Sequence, residues 1–99
     1  MLYCIVIRSF ADQETERVFL RLTSRRLSAD VQHIAYRKLV VLDSAESIDD
    51  LRIPPGNRLE KLKGNREGQH SIRVKEQWRI CFRWKEGDAY DVETADYHR

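Results

Sequence analysis

Apolar residues recur at helical spacing in the first part of the chain. An uninterrupted apolar run within residues 2–8 predicts a short strand that is buried on both faces. Residues 11–22 then predict a first helix, with Ser9 as the expected N-cap and Asp12 three residues further on. We therefore expect a strand that leads directly into a helix.

The second predicted helix has the clearest amphipathic pattern in the chain. Ser28 is its expected N-cap, and five apolar residues follow at the helical period: Val31, Ile34, Ala35, Leu39 and Leu42. Residues 47–51 predict one further helical turn. The sequence IPPG at residues 53–56 then ends the helical half of the chain, because proline interrupts helical hydrogen bonding.

After residue 57 the spacing becomes alternating. Four strands are predicted, at residues 58–63, 69–75, 77–85 and 89–94, with a glycine-framed turn after the first. The third strand divides its side chains between two faces: Trp78, Ile80, Phe82 and Trp84 on one, and Arg79, Cys81 and Arg83 on the other. Antiparallel neighbours keep their faces aligned, so the apolar set should pack under the helices.

These elements predict an α+β fold of two layers in the order β-α-α-β-β-β-β, with a mainly antiparallel sheet packed on two helices. The 99 residues predict a single domain, residues 1–99, with one core. A chain that is 41% hydrophobic and 34% charged is neither disordered nor fibrous. Its apolar runs are too short to span a bilayer and no signal peptide is recognised, so we expect a cytoplasmic protein without a membrane partner.

The net charge of +2 is an average over three unlike segments. Residues 1–51, 52–85 and 86–99 carry net charges of −1, +7 and −4. The middle segment is a candidate phosphate-binding surface, and nucleic acid is its natural partner because arginine grips phosphate oxygens in pairs. The side chains expected on this surface are Lys63, Arg66, Arg73, Arg79 and Arg83.

A second interpretation of these arginines is structural. They could form ordinary cross-strand ion pairs with four acidic residues: Glu60, Glu67, Asp91 and Glu93. The charge pattern alone leaves both interpretations open.

The cysteines and histidines show no metal-binding spacing. Cys4 and Cys81 are far apart in sequence, so we expect two reduced thiols in strands and neither a metal nor a cofactor. His33 is expected at the surface. His70 is expected in the core-facing set, with its polar edge hydrogen bonded.

The last four residues concentrate groups that handle protons or stack on a base. Among them, His98 carries the side chain whose ordinary pKa lies nearest neutrality. A terminal histidine is commonly exposed and inert, so this group points to catalysis only if the last strand brings it beside the arginines.

Five stretches of the sequence form an ordered set. They are IRSF at residues 7–10, PGNRLEKLKGNREG at 55–68, HSIRV at 70–74, QWRICFRW at 77–84 and DYH at 96–98. In this order and spacing they resemble the HigB toxins of bacterial toxin–antitoxin pairs, which belong to the RelE/ParE superfamily. The resemblance covers nearly the whole chain.

The resemblance implies a ribosome-dependent mRNA endoribonuclease that cuts the codon in the ribosomal A site. In such enzymes the ribose 2′-hydroxyl attacks the adjacent phosphate and leaves a 2′,3′-cyclic phosphate and a free 5′-hydroxyl, and no metal is required. Matched position by position, Lys63 and Arg79 correspond to the phosphate-stabilising residues. The C-terminal trio corresponds to Asp96, Tyr97 and His98, with His98 as proton carrier and Tyr97 stacking on or orienting the base.

Glu60 departs from the family pattern, since some HigB toxins have histidine at this position. Glu60 is either the general base or a residue that orients Lys63 or Arg79. Cations on neighbouring residues favour its charged form, which leaves the identity of the base open.

The resemblance also implies a HigA-type helix-turn-helix antitoxin as partner, with operator DNA reached only through that antitoxin. The ribosomal 30S A site and mRNA are the other implied partners. Two alternatives belong to other classes: a non-catalytic ParE-like gyrase inhibitor and a plain nucleic-acid-binding module. A gyrase inhibitor has no need of proton-transfer groups on a basic face.

Overall fold

A computed structural model describes residues 5–96, in which two helices pack against one face of a four-stranded antiparallel sheet. The helices are α1 (Gln13–Phe19) and α2 (Ala29–Asp43), and the strands are β1 (Glu60–Lys61), β2 (Gln69–Lys75), β3 (Trp78–Lys85) and β4 (Asp88–Asp96). The strands lie in the order β1-β2-β3-β4, so each pairs with its neighbour in sequence. The predicted two-layer α+β fold is confirmed.

The core lies between α2 and the central strands. Trp78 and Trp84 of β3 are partly buried at its margin, and the alternation predicted for this strand is confirmed. Burying one large apolar side chain stabilises the fold by about 1.5–3 kcal/mol. The fully buried apolar side chains of the core include Leu39, Leu42, Ile72, Ile80 and Phe82.

The strand predicted at residues 2–8 is wrong for the part of it that the structure describes. Residues 6–11 run parallel to β4 and form two isolated bridges with it, Ile7 with Ala89 and Phe10 with Val92. The two bridges are three residues apart in each segment. The cause is a bulge in β4, where Asp91 has a φ of 55° and donates its N–H to Ser9 Oγ at 2.9 Å. An irregular segment therefore covers this edge of the sheet.

Helix α1 begins later than predicted. Asp12 is its N-cap, and Asp12 Oδ1 accepts a hydrogen bond from the Glu14 N–H at 3.0 Å. Ser9 was the expected cap, but its hydroxyl is taken by Asp91. Ser28 caps α2 as predicted and accepts from the Val31 N–H at 3.3 Å.

The last residue of α2 holds the N-terminal segment in place. Asp43 Oδ1 accepts hydrogen bonds from the N–H groups of Val6 at 3.0 Å and Ile7 at 2.9 Å. Both of these residues are buried, so one carboxylate satisfies two backbone donors that water reaches poorly.

The connection from α2 to the sheet is built from short 3₁₀ turns. Ile48–Arg52 forms where one helical turn was predicted, and Pro55–Asn57 follows it. Strand β1 then has two residues instead of the six predicted, and the 3₁₀ turn Gly64–Arg66 leads into β2. Within residues 5–96, no helix is long and apolar enough to cross a membrane.

Candidate functional site

The candidate site lies on the face of the sheet opposite the helices, here called the outer face. Side chains alternate along a strand, so Ser71 and Arg73 of β2 share this face with Arg79 and Arg83 of β3. In the register, Arg73 lies directly opposite Arg79, and Ser71 opposite Cys81. The predicted placement of the three arginines on one face agrees with this pairing.

Arg79 is far more enclosed than an arginine on an open sheet face. The residue is 9% exposed. Its Nε donates to Ser71 Oγ at 2.7 Å, and its Nη2 donates to the Arg58 carbonyl oxygen at 2.5 Å and to the Ser71 carbonyl oxygen at 3.4 Å. The guanidinium is therefore held in one orientation, because charged hydrogen bonds of this kind are strong and directional.

The Arg58 carbonyl reaches Arg79 because of a local backbone conformation. Arg58 follows the turn Pro55–Asn57 with φ 47° and ψ 57°, in the left-handed region that residues other than glycine seldom adopt. The turn is itself anchored by the buried Asn57, whose Nδ2 donates to the Leu51 carbonyl oxygen at 3.2 Å. Loop and strand together thus fix the guanidinium.

Glu60 is the carboxylate beside Arg79. Its Oε1 lies 3.7 Å from Arg79 Nη2, and the Glu60 side chain is 55% exposed. In the register Glu60 lies opposite Ser71. This is the contact that a residue orienting Arg79 would make.

Lys63 lies at the rim of the outer face. It is exposed and precedes the turn Gly64–Arg66. Its carbonyl oxygen accepts a hydrogen bond from the Arg66 N–H at 3.3 Å. A shallow depression beside it is lined by Lys61, Leu62, Lys63, Gly64, Glu67 and Gly68. Two lysines and one carboxylate, that of Glu67, therefore line this depression.

Two further arginines of the predicted surface form ion pairs across the outer face. Arg66 Nη2 lies 3.1 Å from Glu93 Oε1, and Arg83 Nε lies 3.6 Å from Asp91 Oδ2. Together with Arg79 and Glu60, three of the cross-strand pairs expected under the structural interpretation occur. The positive charge of this face is thus partly compensated before any ligand binds.

The end of β4 comes beside the start of β3. Ala95 lies opposite Arg79, and Asp96 lies opposite Trp78. Alternation therefore puts Asp96, like Thr94, on the side of the strand that faces the helices. This differs from the prediction, which grouped Asp96 with Arg79. Tyr97 and His98 lie outside the described residues, as does Cys4.

His70 faces the helices, as predicted, and stacks on Phe82 with a centroid distance of 6.1 Å. The prediction that its polar edge is hydrogen bonded is wrong for Nδ1. Within the described chain, this buried atom has no hydrogen-bond partner. Burial lowers the pKa of His70, and the positive charges of Lys61 and Arg52 lower it further. His33 is exposed on α2, as predicted.

Sequence reasoning missed two parts of the site, the Ser71 hydroxyl and the Arg58 carbonyl. Alternation along β2 is consistent with the position of Ser71 on the outer face, but no local pattern indicates that it contacts Arg79. Cys81 is fully buried beside Leu62 and Ala95. Among residues 5–96, no three His, Cys, Asp or Glu side chains are grouped closely enough to hold a metal ion.

Comparison with known proteins places these features in a family. Residues 8–98 match the model of a HigB-like toxin, described as a RelE-like toxin of the type II toxin–antitoxin system HigB. The protein named Endoribonuclease HigB of Proteus vulgaris is 38% identical over 94 residues, which are 94% of this chain and all of that protein. Toxin HigB-1 of Vibrio cholerae is 48% identical over 68 residues, which are 69% of this chain and 72% of that protein.

Proposed function

This chain belongs to the HigB-like family of type II toxins, and from that premise we propose that it is a ribosome-dependent endoribonuclease that cuts mRNA in the A site. The observation that carries the proposal is the fixed, enclosed guanidinium of Arg79 on a basic sheet face. Such a group is suited to a reaction that places extra negative charge on a phosphate.

The reaction we propose is attack of the ribose 2′-hydroxyl on the adjacent phosphorus, with departure of the 5′-oxygen of the next nucleotide. One proton leaves the 2′-oxygen and one reaches the 5′-oxygen, so a 2′,3′-cyclic phosphate and a 5′-hydroxyl are formed. Arg79 and Lys63 stabilise the phosphate charge in this scheme. His98 carries the proton from the 2′-oxygen to the 5′-oxygen, and Tyr97 stacks on the base.

Glu60 acts on Arg79 in this proposal and is not the general base. Its contact with Arg79 Nη2 at 3.7 Å supports that role. Arg66, Arg73 and Arg83 bind the RNA backbone, and the acidic partners of Arg66 and Arg83 are exchanged for phosphates as the RNA arrives.

The test maps 5′ ends on an mRNA held on purified ribosomes, with and without the protein. Cuts confined to the A-site codon are expected. His98→Ala and Arg79→Ala should each slow cutting about 100-fold, because proton transfer and charge stabilisation typically contribute that much.

A matched control is Arg37→Ala, which removes an exposed arginine from α2, on the other side of the sheet. It should cut at the wild-type rate. Intact mRNA with wild-type protein would contradict the proposal, and a DNA-damage response without arrest of translation would favour the gyrase inhibitor.

We further propose that the antitoxin partner of this type II toxin is a HigA-type helix-turn-helix protein, through which operator DNA is bound. The toxin itself acts in the cytoplasm on the ribosome. Copurification with a coexpressed antitoxin, and operator binding only in its presence, are the expected results.

A further inference from the structure

The hydroxyl of Ser71 accepts a hydrogen bond from Arg79 on the outer face but has no part in the reaction proposed above. We propose that Ser71 is a positioning residue, which holds the Arg79 guanidinium with one edge turned toward the scissile phosphate. This inference rests on the function proposed above and adds to it a residue that acts through Arg79.

The two edges of the guanidinium are used differently. On one side, Nε donates to the Ser71 hydroxyl at 2.7 Å, and Nη2 donates to the Arg58 carbonyl oxygen at 2.5 Å and, over a longer 3.4 Å, to the Ser71 carbonyl oxygen. Nη1 makes none of these contacts. The end of the fork, where Nη1 and Nη2 donate in parallel, is the edge that matches two oxygens of a phosphate.

The neighbouring carboxylate supports this assignment. Glu60 Oε1 lies 3.7 Å from Nη2, and the Glu60 side chain is 55% exposed. An exposed carboxylate at that distance is held weakly, so Glu60 orients Arg79 before RNA binds and can then give way to a phosphate. It thus stands in for an anion beside the edge that we assign to the phosphate.

Ser71 is well suited to hold Arg79 because water does not reach its hydroxyl to compete for the hydrogen bond. The residue is fully buried in the central part of β2. Across the strand pair, Arg73 lies directly opposite Arg79. Like charges on facing positions repel, so Arg79 without its acceptor would turn away from the orientation described here.

The first experiment measures single-turnover cutting on programmed ribosomes. Ser71→Ala should lower the maximal rate about 10-fold and leave the ribosome concentration at half-maximal rate unchanged, because a hydrogen bond to a charged group is lost while RNA contacts remain. Ser71→Cys is the second variant, for use if Ser71→Ala is too unstable to assay. Its thiol is close in size to the hydroxyl but is a weak acceptor, so it should also lower the maximal rate.

The control separates positioning from folding. Ser24 is also buried, and its hydroxyl donates to Glu14 Oε1 at 2.6 Å, remote from Arg79. Ser24→Ala should lose stability without loss of cutting rate. A full cutting rate in Ser71→Ala would overturn the inference.

A double-mutant cycle asks whether Ser71 acts through Arg79. In an Arg79→Lys background, Ser71→Ala should change the residual rate less than twofold, since the Nε–H that it binds is gone. Additive losses would overturn the inference.

The Nε–H resonance of Arg79 gives a readout that does not require activity. In the free wild-type protein it should exchange slowly with water, and in Ser71→Ala it should exchange at least 10-fold faster. Equal exchange in both proteins would overturn the inference. Inactive wild-type protein with this difference intact would contradict the proposed function and not the anchoring of Arg79 by Ser71.

Discussion

Arg79 and His70 lie on neighbouring strands and face opposite sides of the sheet. Arg79 is enclosed by oxygen acceptors, which hold its buried guanidinium in one orientation. His70 is enclosed by an aromatic ring and lies near two cations, so burial keeps it neutral. The same sheet thus stabilises one charged and one uncharged side chain, according to what each one meets.

His70 should make the stability of the protein depend on pH. Its pKa is lowered in the folded state, first by burial and then by Lys61 and Arg52, so the unfolded chain binds the proton more readily. Its contribution is complete above the ordinary value of about 6.5 and is lost as the pH falls through the folded pKa. Urea unfolding from pH 7.5 to pH 5 should therefore show falling stability.

His70→Gln removes this titration and should flatten the pH dependence of the unfolding free energy. His33→Gln, at an exposed position of α2, measures the effect of removing a histidine that has no contact with Phe82. An unchanged slope in His70→Gln would refute the assignment.

At the scale of elements, Asp43 joins the end of α2 to the N-terminal segment. Asp43→Ala leaves the Val6 and Ile7 N–H groups without their acceptor. The expected loss is about 2 kcal/mol of unfolding free energy, since each buried donor left unsatisfied is costly. Asp43→Asn keeps an acceptor oxygen and should lose less than half as much in the same urea titration; equal losses would mean that the charge, not the hydrogen bonds, matters.

Sequence reasoning succeeded where an element carries its own signal. Ser28 caps the helix that it precedes, and the two faces of β3 follow from the alternation of neighbouring residues along that strand. It failed where the deciding partner is remote. Ser9 has a good capping sequence but bonds to Asp91, 82 residues away.

The candidate site shows the same division. The outer-face position of Arg79 follows from alternation along its strand. Its burial does not, because the Arg58 carbonyl reaches it only through a left-handed backbone conformation 21 residues earlier. Local pattern therefore predicts the face on which a side chain lies, while tertiary contacts decide how exposed it is.

At the scale of the whole molecule, charge is distributed so that the acidic end of the chain compensates the basic middle. Asp91 and Glu93 of β4 pair with Arg83 and Arg66. The segments at +7 and −4 thus meet on one surface instead of forming separate regions. Under the proposed function, RNA has to compete with these carboxylates, which weakens its binding and makes it more dependent on geometry.

Asp91→Asn tests this compensation. Asparagine tolerates the positive φ of this position, so the fold is retained while Arg83 loses its ionic partner. Binding to programmed ribosomes should tighten about two- to fivefold, with a steeper dependence on salt. Asp49→Asn, which breaks an exposed pair with Arg52, is the matched control, and equal effects in the two variants would contradict the prediction.

The pairing of the N-terminal segment with β4 has a consequence for synthesis. Ile7 and Phe10 bridge to Ala89 and Val92, and the buried Thr15 hydroxyl accepts the N–H of Thr94 at 2.8 Å. During translation, residues 7–15 are made early and lack their partners in β4 until that strand emerges. The nascent toxin therefore completes its fold, and with it the basic face, only after the ribosome that made it has translated the last strand.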